Sequence, residues 1–185
     1  MERGKCMNEV KIVRDEQGNA IVIIPDIIFW NKQNIDWQAV KEYLKRYVGE
    51  IIENIETNEK IIIGSKFVDE YAGSKDSHFV KGARAKAKAN AVQGIKEIVQ
   101  TASNKIYKEN RKSKHDKDAE GGWYYYTVRF ALPIYYNGRR TEMHSIFKGR
   151  LVVNISYNGK LYLYDIVDIK KGSKYATQEY IVNKW

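Results

Sequence analysis

The sequence predicts an α+β fold in which an N-terminal β-hairpin and helices pack on one face of a C-terminal antiparallel β-meander. Apolar residues follow helical spacing in much of the first 102 residues, and they alternate as in strands from Trp123 onward. Two Asn-Gly dipeptides, at 137–138 and 158–159, separate three alternating segments and favour tight hairpins. At 185 residues, one domain spanning 1–185 is expected. Its predicted parts are a hairpin plus helix (1–60), a basic helix and loop (61–122), an antiparallel sheet (123–171) and a tail (172–185).

The N-terminal part contains signals for two strands and a helix. Residues 10–14 and 20–24 flank a turn rich in Gly and Asn, which predicts a hairpin. Asn34 or Asp36 can cap a helix that ends before Gly49.

The middle of the chain predicts one short strand and one long helix. The strand is expected at 61–63, and a loop is expected at 64–77. The alanine-rich stretch 82–102 has the highest helix propensity and is predicted to be the longest helix. The polar, basic stretch 103–122 is predicted to be a loop.

Strand alternation sorts the C-terminal side chains onto two faces. One face is apolar and is expected to lie under the helices. The other face carries Tyr125, Thr127, Arg129, Lys148 and Arg150. Aromatic and cationic groups in this mixture suit the stacking of bases and the binding of phosphates. A merely solvent-exposed face is the alternative explanation, since antiparallel sheets often have one.

Positive charge is concentrated between Lys75 and Lys117. This stretch holds twelve Lys/Arg and four Asp/Glu, a net charge of +8, whereas the whole chain carries +9. Such a concentration predicts a polyanionic partner, and nucleic acid is the commonest one. The alternative is a solvated basic helix and loop with no partner.

Three cations extend the core-facing stripe of the predicted long helix toward its N-terminus: Lys81, Arg84 and Lys88. Unpaired buried charges are costly, so this end of the helix is expected to overhang a groove. The alternative is that they extend past the edge of the core or pair with acids such as Asp69 and Glu70.

Several function classes are disfavoured by the composition. The longest apolar runs are far shorter than a bilayer span, so no membrane association is expected. The expected location is therefore the cytoplasm. One cysteine cannot form an internal disulfide. Three histidines and scattered carboxylates give no metal-binding spacing, so neither a metal nor another cofactor is expected.

His115 is the histidine best suited to acid–base chemistry. It lies within the basic run 111–117, where neighbouring cations are expected to lower its pKa and favour the neutral imidazole. A neutral imidazole can act on a ribose hydroxyl. The alternative is an ordinary surface histidine.

The sequence also carries a set of motifs that resembles a known domain family. They include Asp69-Glu-Tyr-Ala-Gly-Ser74, Lys86-Ala-Lys-Ala-Asn-Ala91, Lys114-His115, Gly122-Trp-Tyr, Arg129-Phe-Ala-Leu-Pro133 and Tyr162-Leu-Tyr-Asp165. They resemble a domain of clostridial and mobile-element proteins, which is similar to the large polyvalent protein-associated members of the barnase, EndoU, colicin and RelE-like nuclease group. The resemblance covers roughly residues 20–171. It implies helices on one face of an antiparallel sheet and RNA on the other.

The chemistry implied by the resemblance is metal-independent RNA cleavage by attack of a 2′-hydroxyl on the adjacent phosphate. His115 would act as general base or acid, and Lys88 and Arg129 would stabilise the phosphorane. Thr127 or Tyr125 would position the phosphate. Flanking phosphates would be held by Lys81, Arg84 and Arg150, with Lys148 on the same binding face.

The expected partner is therefore RNA, with tRNA as one candidate, and the chain would be a toxin or mobile-element effector. An immunity protein or a host protein is the other class of partner consistent with this interpretation. Two alternatives stay open: a non-catalytic nucleic-acid-binding module, and a phage- or plasmid-encoded inhibitor of a host nucleic-acid-handling protein.

Overall fold

The computed structural model describes residues 9–176, apart from residues 116 and 118. It has a mixed α+β architecture, as predicted from the sequence. The described strands are β1 (Lys11–Arg14), β2 (Ala20–Ile23), β3 (Ile51–Glu53), β4 (Lys60–Ile62), β5 (Ser103–Lys108), β6 (Gly122–Tyr136), β7 (Arg139–Ile155) and β8 (Leu161–Ala176). The described α-helices are α1 (Trp37–Leu44), α2 (Ser65–Gly73), α3 (Lys75–Phe79), α4 (Gly82–Ala91) and α5 (Ile95–Thr101).

The predicted meander forms the centre of one sheet. Strands β6, β7 and β8 are long and antiparallel, and the turn of the β6–β7 hairpin contains Asn137 and Gly138, both at positive φ. The sheet continues outward on both sides in the order β1-β2-β6-β7-β8-β4-β3, and β5 also pairs with β6. Strand β2 is parallel to β6, and β4 is parallel to β8. The sheet is therefore mixed, with the meander as its antiparallel core.

The N-terminal hairpin was predicted to pack on a face of the meander, and that prediction is wrong. The hairpin of β1 and β2 instead extends the edge of the sheet, because β2 pairs with β6 at Phe130 and Ala131. The backbone N–H of Ile24 adds a hydrogen bond to the carbonyl of Ala131 at 2.9 Å. These backbone hydrogen bonds satisfy groups that face packing would have left unpaired.

Two segments predicted as loops contain regular structure. Residues 64–77 form α2 and the first three residues of α3. Phe67, Val68 and Tyr71 form a buried apolar face of α2, but the Gly and Ser residues of this segment favoured a loop in the prediction from sequence. Residues 103–122 contain β5, which adds to the edge of β6 despite its polar composition. A predicted tail at 172–185 is partly strand, since β8 continues to Ala176.

The predicted long helix is divided in two. A 3₁₀ turn at Val92–Gly94 separates α4 from α5. At Gly94, a Cβ atom would approach Ile24 Cδ1 to 2.9 Å, so glycine permits close contact between this turn and β2. Close contact with the sheet thus coincides with the interruption of the α-helix.

The main core lies between the helices and one face of the sheet. Alternate residues of β6, including Tyr126, Val128 and Phe130, point into it and meet Ile95 and Ile98 of α5. The opposite face of β6 presents Tyr125, Thr127 and Arg129, as the alternation predicted, and also Trp123. This second face carries the candidate site.

Candidate nucleic-acid interface

A groove of about 840 Å³ lies on the face of the sheet that the helices leave uncovered. We call it the sheet groove. Its floor is formed by the first residues of β6, the end of β7 and the first half of β8, and its wall by the end of β5 and the chain after it. The residues that line it are Tyr107, Lys108, Glu109, Asn110, Arg111, Lys112, His115, Trp123, Tyr125, Val152, Tyr164 and Val167.

The floor is apolar and aromatic because of strand register. Tyr125 is paired with Val152, and Trp123 lies two residues earlier on the same face of β6. On β8 the pairing shifts between Leu163 and Asp165, so Tyr164 is an additional residue at this point. Its ring contacts Trp123 edge to face, with the ring centroids 4.8 Å apart.

His115 packs against this aromatic floor. Its imidazole lies 5.3 Å from the Trp123 ring and 5.9 Å from the Tyr164 ring, nearly perpendicular to both. A 3₁₀ turn at Ser113–His115 supplies the imidazole to the groove, and the N–H of His115 donates to the carbonyl of Lys112 at 2.9 Å. The histidine singled out from the sequence is therefore fixed in a groove by two rings.

Two cations lie over the ring of Tyr125. Lys108 Nζ is 4.6 Å and Arg150 Cζ is 4.5 Å from the ring centroid. Arg150 Nε also lies 3.5 Å from an Asp168 carboxylate oxygen, and that nitrogen is buried without a hydrogen bond. Tyr125 therefore holds cations in place, and it is not a free stacking surface for a base.

Gly122 allows the wall to approach the floor closely. A Cβ atom at this position would lie 2.8 Å from both the Lys108 carbonyl and the Tyr107 ring, and the backbone φ is +95°. Only glycine adopts this conformation without strain while leaving room for the neighbouring strand. The tight contact holds the end of β5 against the start of β6, beside the sheet groove.

The structure brings some of the predicted residues together. His115 and Tyr125 line the sheet groove, and Arg150 covers Tyr125. The other predicted sheet residues continue the same face along the strands: Thr127 is paired with Arg150, and Arg129 is paired with Lys148. A polar, cationic track therefore extends from the groove along β6 and β7.

Lys88 is not part of this site. Its side chain is 0% exposed and lies in the helical layer, where Asp76 and Asp165 each contact its Nζ at 2.9 Å. The carboxylates neutralise the charge that the sequence pattern had assigned to a groove. Lys88 cannot reach a phosphate in the sheet groove from this position.

Lys81 and Arg84 also lie on the helical side. Both are exposed near the N-terminus of α4. Lys81 borders a separate hollow of about 160 Å³, together with Lys32 and His78. These two cations can contribute only to the general positive field around the molecule.

Sequence reasoning missed four groove residues that the strand pairing brings together. Tyr107 and Lys108 belong to the stretch predicted as a loop, and Lys108 is paired with Trp123 across β5 and β6. Tyr164 depends on the irregular pairing in β8. The alternation of Trp123 with Tyr125 could have placed that tryptophan on the binding face.

A second hollow adjoins the sheet groove. Its volume is about 570 Å³, and Tyr164 borders both. Lys66 and Lys117 line it along with Tyr157 and acidic residues of α2. The aromatic and cationic surface therefore continues beyond Tyr164.

The part of the chain that the structure describes contains no cluster of three or more His, Cys, Asp or Glu side chains that could hold a metal ion. Within the same residues, no helix combines the length and apolar character needed to cross a bilayer. Comparison of the chain with protein-family models, curated proteins and solved structures gave no match.

Proposed function

We propose that this protein binds single-stranded RNA in the sheet groove. The observation that carries the proposal is the combination of an aromatic floor with two cations, Lys108 and Arg150, fixed over Tyr125. Cations held in this way meet phosphates with less loss of side-chain entropy than free surface lysines. Aromatic rings beside them offer contacts to bases.

Unpaired RNA suits the groove better than a duplex. Stacking requires a base whose face is accessible, and a duplex hides its base faces within the stack. The aromatic side chains that line the groove and are accessible to a base are those of His115 and Tyr164, since Trp123 is only 8% exposed. Phosphates would continue along Arg129 and Lys148, which are paired on the same face.

The proposal extends to the fold. Helices on one face of an antiparallel meander and a cationic groove on the other are the layout expected for the barnase, EndoU, colicin and RelE-like group. We propose that this protein has the same fold as the members of that group. The basic sheet face supports this proposal, and function must still be argued from the site itself.

Equilibrium binding of a short labelled RNA tests the proposal. Single-stranded RNA of mixed sequence is expected to bind at least about tenfold more tightly than the duplex of the same sequence. Tyr164→Ala should weaken single-strand binding about fivefold or more, because stacking is worth roughly 1–3 kcal/mol per base. Tyr136→Ala is the control, since Tyr136 is exposed at the far end of β6. Equal binding of duplex and single strand, or equal effects of the two variants, would contradict the proposal.

Cleavage of the bound RNA is the second candidate function. The position of His115 in the groove favours it, because an imidazole there could take the proton of a 2′-hydroxyl while cations stabilise the phosphorane. Arg129 and Thr127 on the adjoining track are the other candidates for phosphate contacts. Lys88, enclosed by carboxylates, has no role in this scheme.

Incubation of the purified protein with total RNA and tRNA in EDTA tests for cleavage. Products that end in a 2′,3′-cyclic phosphate are expected, and His115→Ala should abolish them while lowering RNA affinity no more than Tyr164→Ala does. Arg129→Ala should reduce both cleavage and affinity. Intact RNA together with normal binding would leave the non-catalytic module as the function. A lack of RNA binding would favour the inhibitor of a host protein.

A further inference from the structure

A buried group of ionisable side chains lies between the helical layer and the sheet, away from the sheet groove. Lys88 of α4, Asp76 of α3 and Asp165 of β8 form a compact group, which we call the Lys88 triad. Lys88 Nζ lies 2.9 Å from an oxygen of each carboxylate. Lys88 is 0% exposed and Asp165 is 2% exposed. The ring of Tyr71 lies 5.0 Å from Nζ and covers one side of it.

The two carboxylates differ in their surroundings. Asp165 is enclosed, and burial raises its pKa to about 6 although the Lys88 ammonium opposes the shift. Asp76 is 32% exposed, so it can exchange protons with solvent. Burial removes the hydration of both the Lys88 ammonium and the Asp165 carboxylate. The pair of a neutral amine and a protonated carboxyl group is therefore closer in free energy to the ion pair than it would be in water.

Hydrogen-bond donors surround the Asp165 carboxyl group. The backbone N–H of Ile166 donates to Oδ1 at 2.7 Å, and the hydroxyl of Ser74 donates to Oδ2 at 3.0 Å. These donors would stabilise negative charge on oxygen if the carboxyl carbon became tetrahedral. The lysine nitrogen and the carboxyl group are also held within contact distance, which replaces an encounter in solution by a fixed approach.

We propose that Lys88 and Asp165 form an intramolecular isopeptide bond, with Asp76 as the group that transfers protons. The three roles follow from position: Lys88 is the enclosed nucleophile, Asp165 is the enclosed carboxyl group, and Asp76 is the carboxylate that solvent reaches. No cofactor or oxidant is needed, because the reaction is a condensation.

The condensation would proceed through a tetrahedral intermediate at the carboxyl carbon of Asp165. Asp76 accepts a proton from the Lys88 ammonium, and the neutral amine attacks the carboxyl carbon of Asp165 in its protonated form. A C–N bond forms, and one C–O bond of the tetrahedral intermediate breaks. The departing hydroxyl takes a proton from Asp76 and leaves as water. The Asp76 carboxylate then accepts the extra proton from nitrogen as the amide forms, and it releases this proton to solvent.

The bond would join α4 to β8 across a long stretch of sequence. It would close a loop that contains α5 and the first two strands of the meander. Such a crosslink restricts the unfolded chain in the manner of a disulfide. It would also remove the cost of burying the charges of Lys88 and Asp165, and the remaining charge of the triad would be that of Asp76, which is 32% exposed.

Mass spectrometry of the wild-type protein tests the proposal directly. The intact denatured protein is expected to be lighter than its sequence by one water molecule. After trypsin digestion, residues 87–96 should be found joined to residues 161–170, because trypsin does not cleave at an acylated Lys88. Free peptides 89–96 and 161–170 at full yield would overturn the proposal.

Two variants of matched chemistry test the role of Asp76. Asp76→Asn should lose most of the joined peptide, while Asp69→Asn should keep it, since Asp69 pairs with Lys41 on the exposed surface. Equal amounts of the joined peptide in both variants would overturn the role of Asp76. The wild-type peptide measurement stands independently if Asp76→Asn fails to fold.

Discussion

At the residue scale, the environment of a cation matters more than its presence in the sequence. Lys88, Arg150 and Lys81 were all predicted to bind nucleic acid. Lys88 is buried between carboxylates, Arg150 covers Tyr125 on the face of the sheet that carries the groove, and Lys81 is exposed on the helical side. Strand alternation was enough to place Arg150. It could not place Lys88, because Asp76 and Asp165 come from other elements of the fold.

The buried side-chain amide of Asn90 makes four hydrogen bonds that could not be predicted from the sequence. The Asn90 side chain accepts from the N–H groups of Ile28 and Phe29, and it donates to the carbonyls of Phe29 and Lys86. It therefore attaches an irregular segment to α4. The surface of the helix alone gives no sign of this role.

Asn90→Ala should lower the free energy of unfolding by about 2–4 kcal/mol, because buried backbone groups would lose their partners. Asn34→Ala should change it by less than about 0.5 kcal/mol, since Asn34 is exposed. Urea denaturation of the two variants and the wild type measures both effects. Equal stability of the two variants would contradict the assigned role of Asn90.

At the element scale, the hairpins were predictable and the short elements were not. Asn-Gly turns and long alternation indicated β6, β7 and β8 because both signals are local. Strand β5 is exposed, polar and irregular in its pairing with β6, so its sequence resembles a loop. Its structure comes from pairing with the edge of β6, which is a tertiary interaction.

Replacement of Gly122 tests the contact between β5 and β6. Gly122→Ala should cost about 2–4 kcal/mol in unfolding free energy, from the positive φ and from overlap with Tyr107 and the Lys108 carbonyl. Gly138→Ala is the control, because its φ is also positive but its Cβ would meet open space. Its expected cost is only about 1 kcal/mol. Thermal or urea denaturation distinguishes the two, and equal costs would show that the β5 contact is unimportant.

At the scale of the whole molecule, the mixed sheet separates two chemical environments. The helix-covered face contains the core and the Lys88 triad, and the uncovered face contains the sheet groove. The sequence predicted this division from alternation alone. It did not predict the order of the outer strands, since β2 and β4 join the meander through pairs of only two residues each. The overall charge of +9 predicts a polyanion, and only the fold indicates which face it meets.

Charge reversal on the two faces tests the central claim that RNA binds in the sheet groove. Lys108→Glu with Arg111→Glu, and Lys81→Glu with Arg84→Glu, change the net charge equally. Single-stranded RNA affinity should fall about 100-fold or more for the groove pair and less than about tenfold for the helical pair, with a reduced salt dependence only for the former. An equal loss of RNA affinity in the two double variants would contradict the claim. It would show that RNA is attracted by the net charge of the protein and is not bound in the groove.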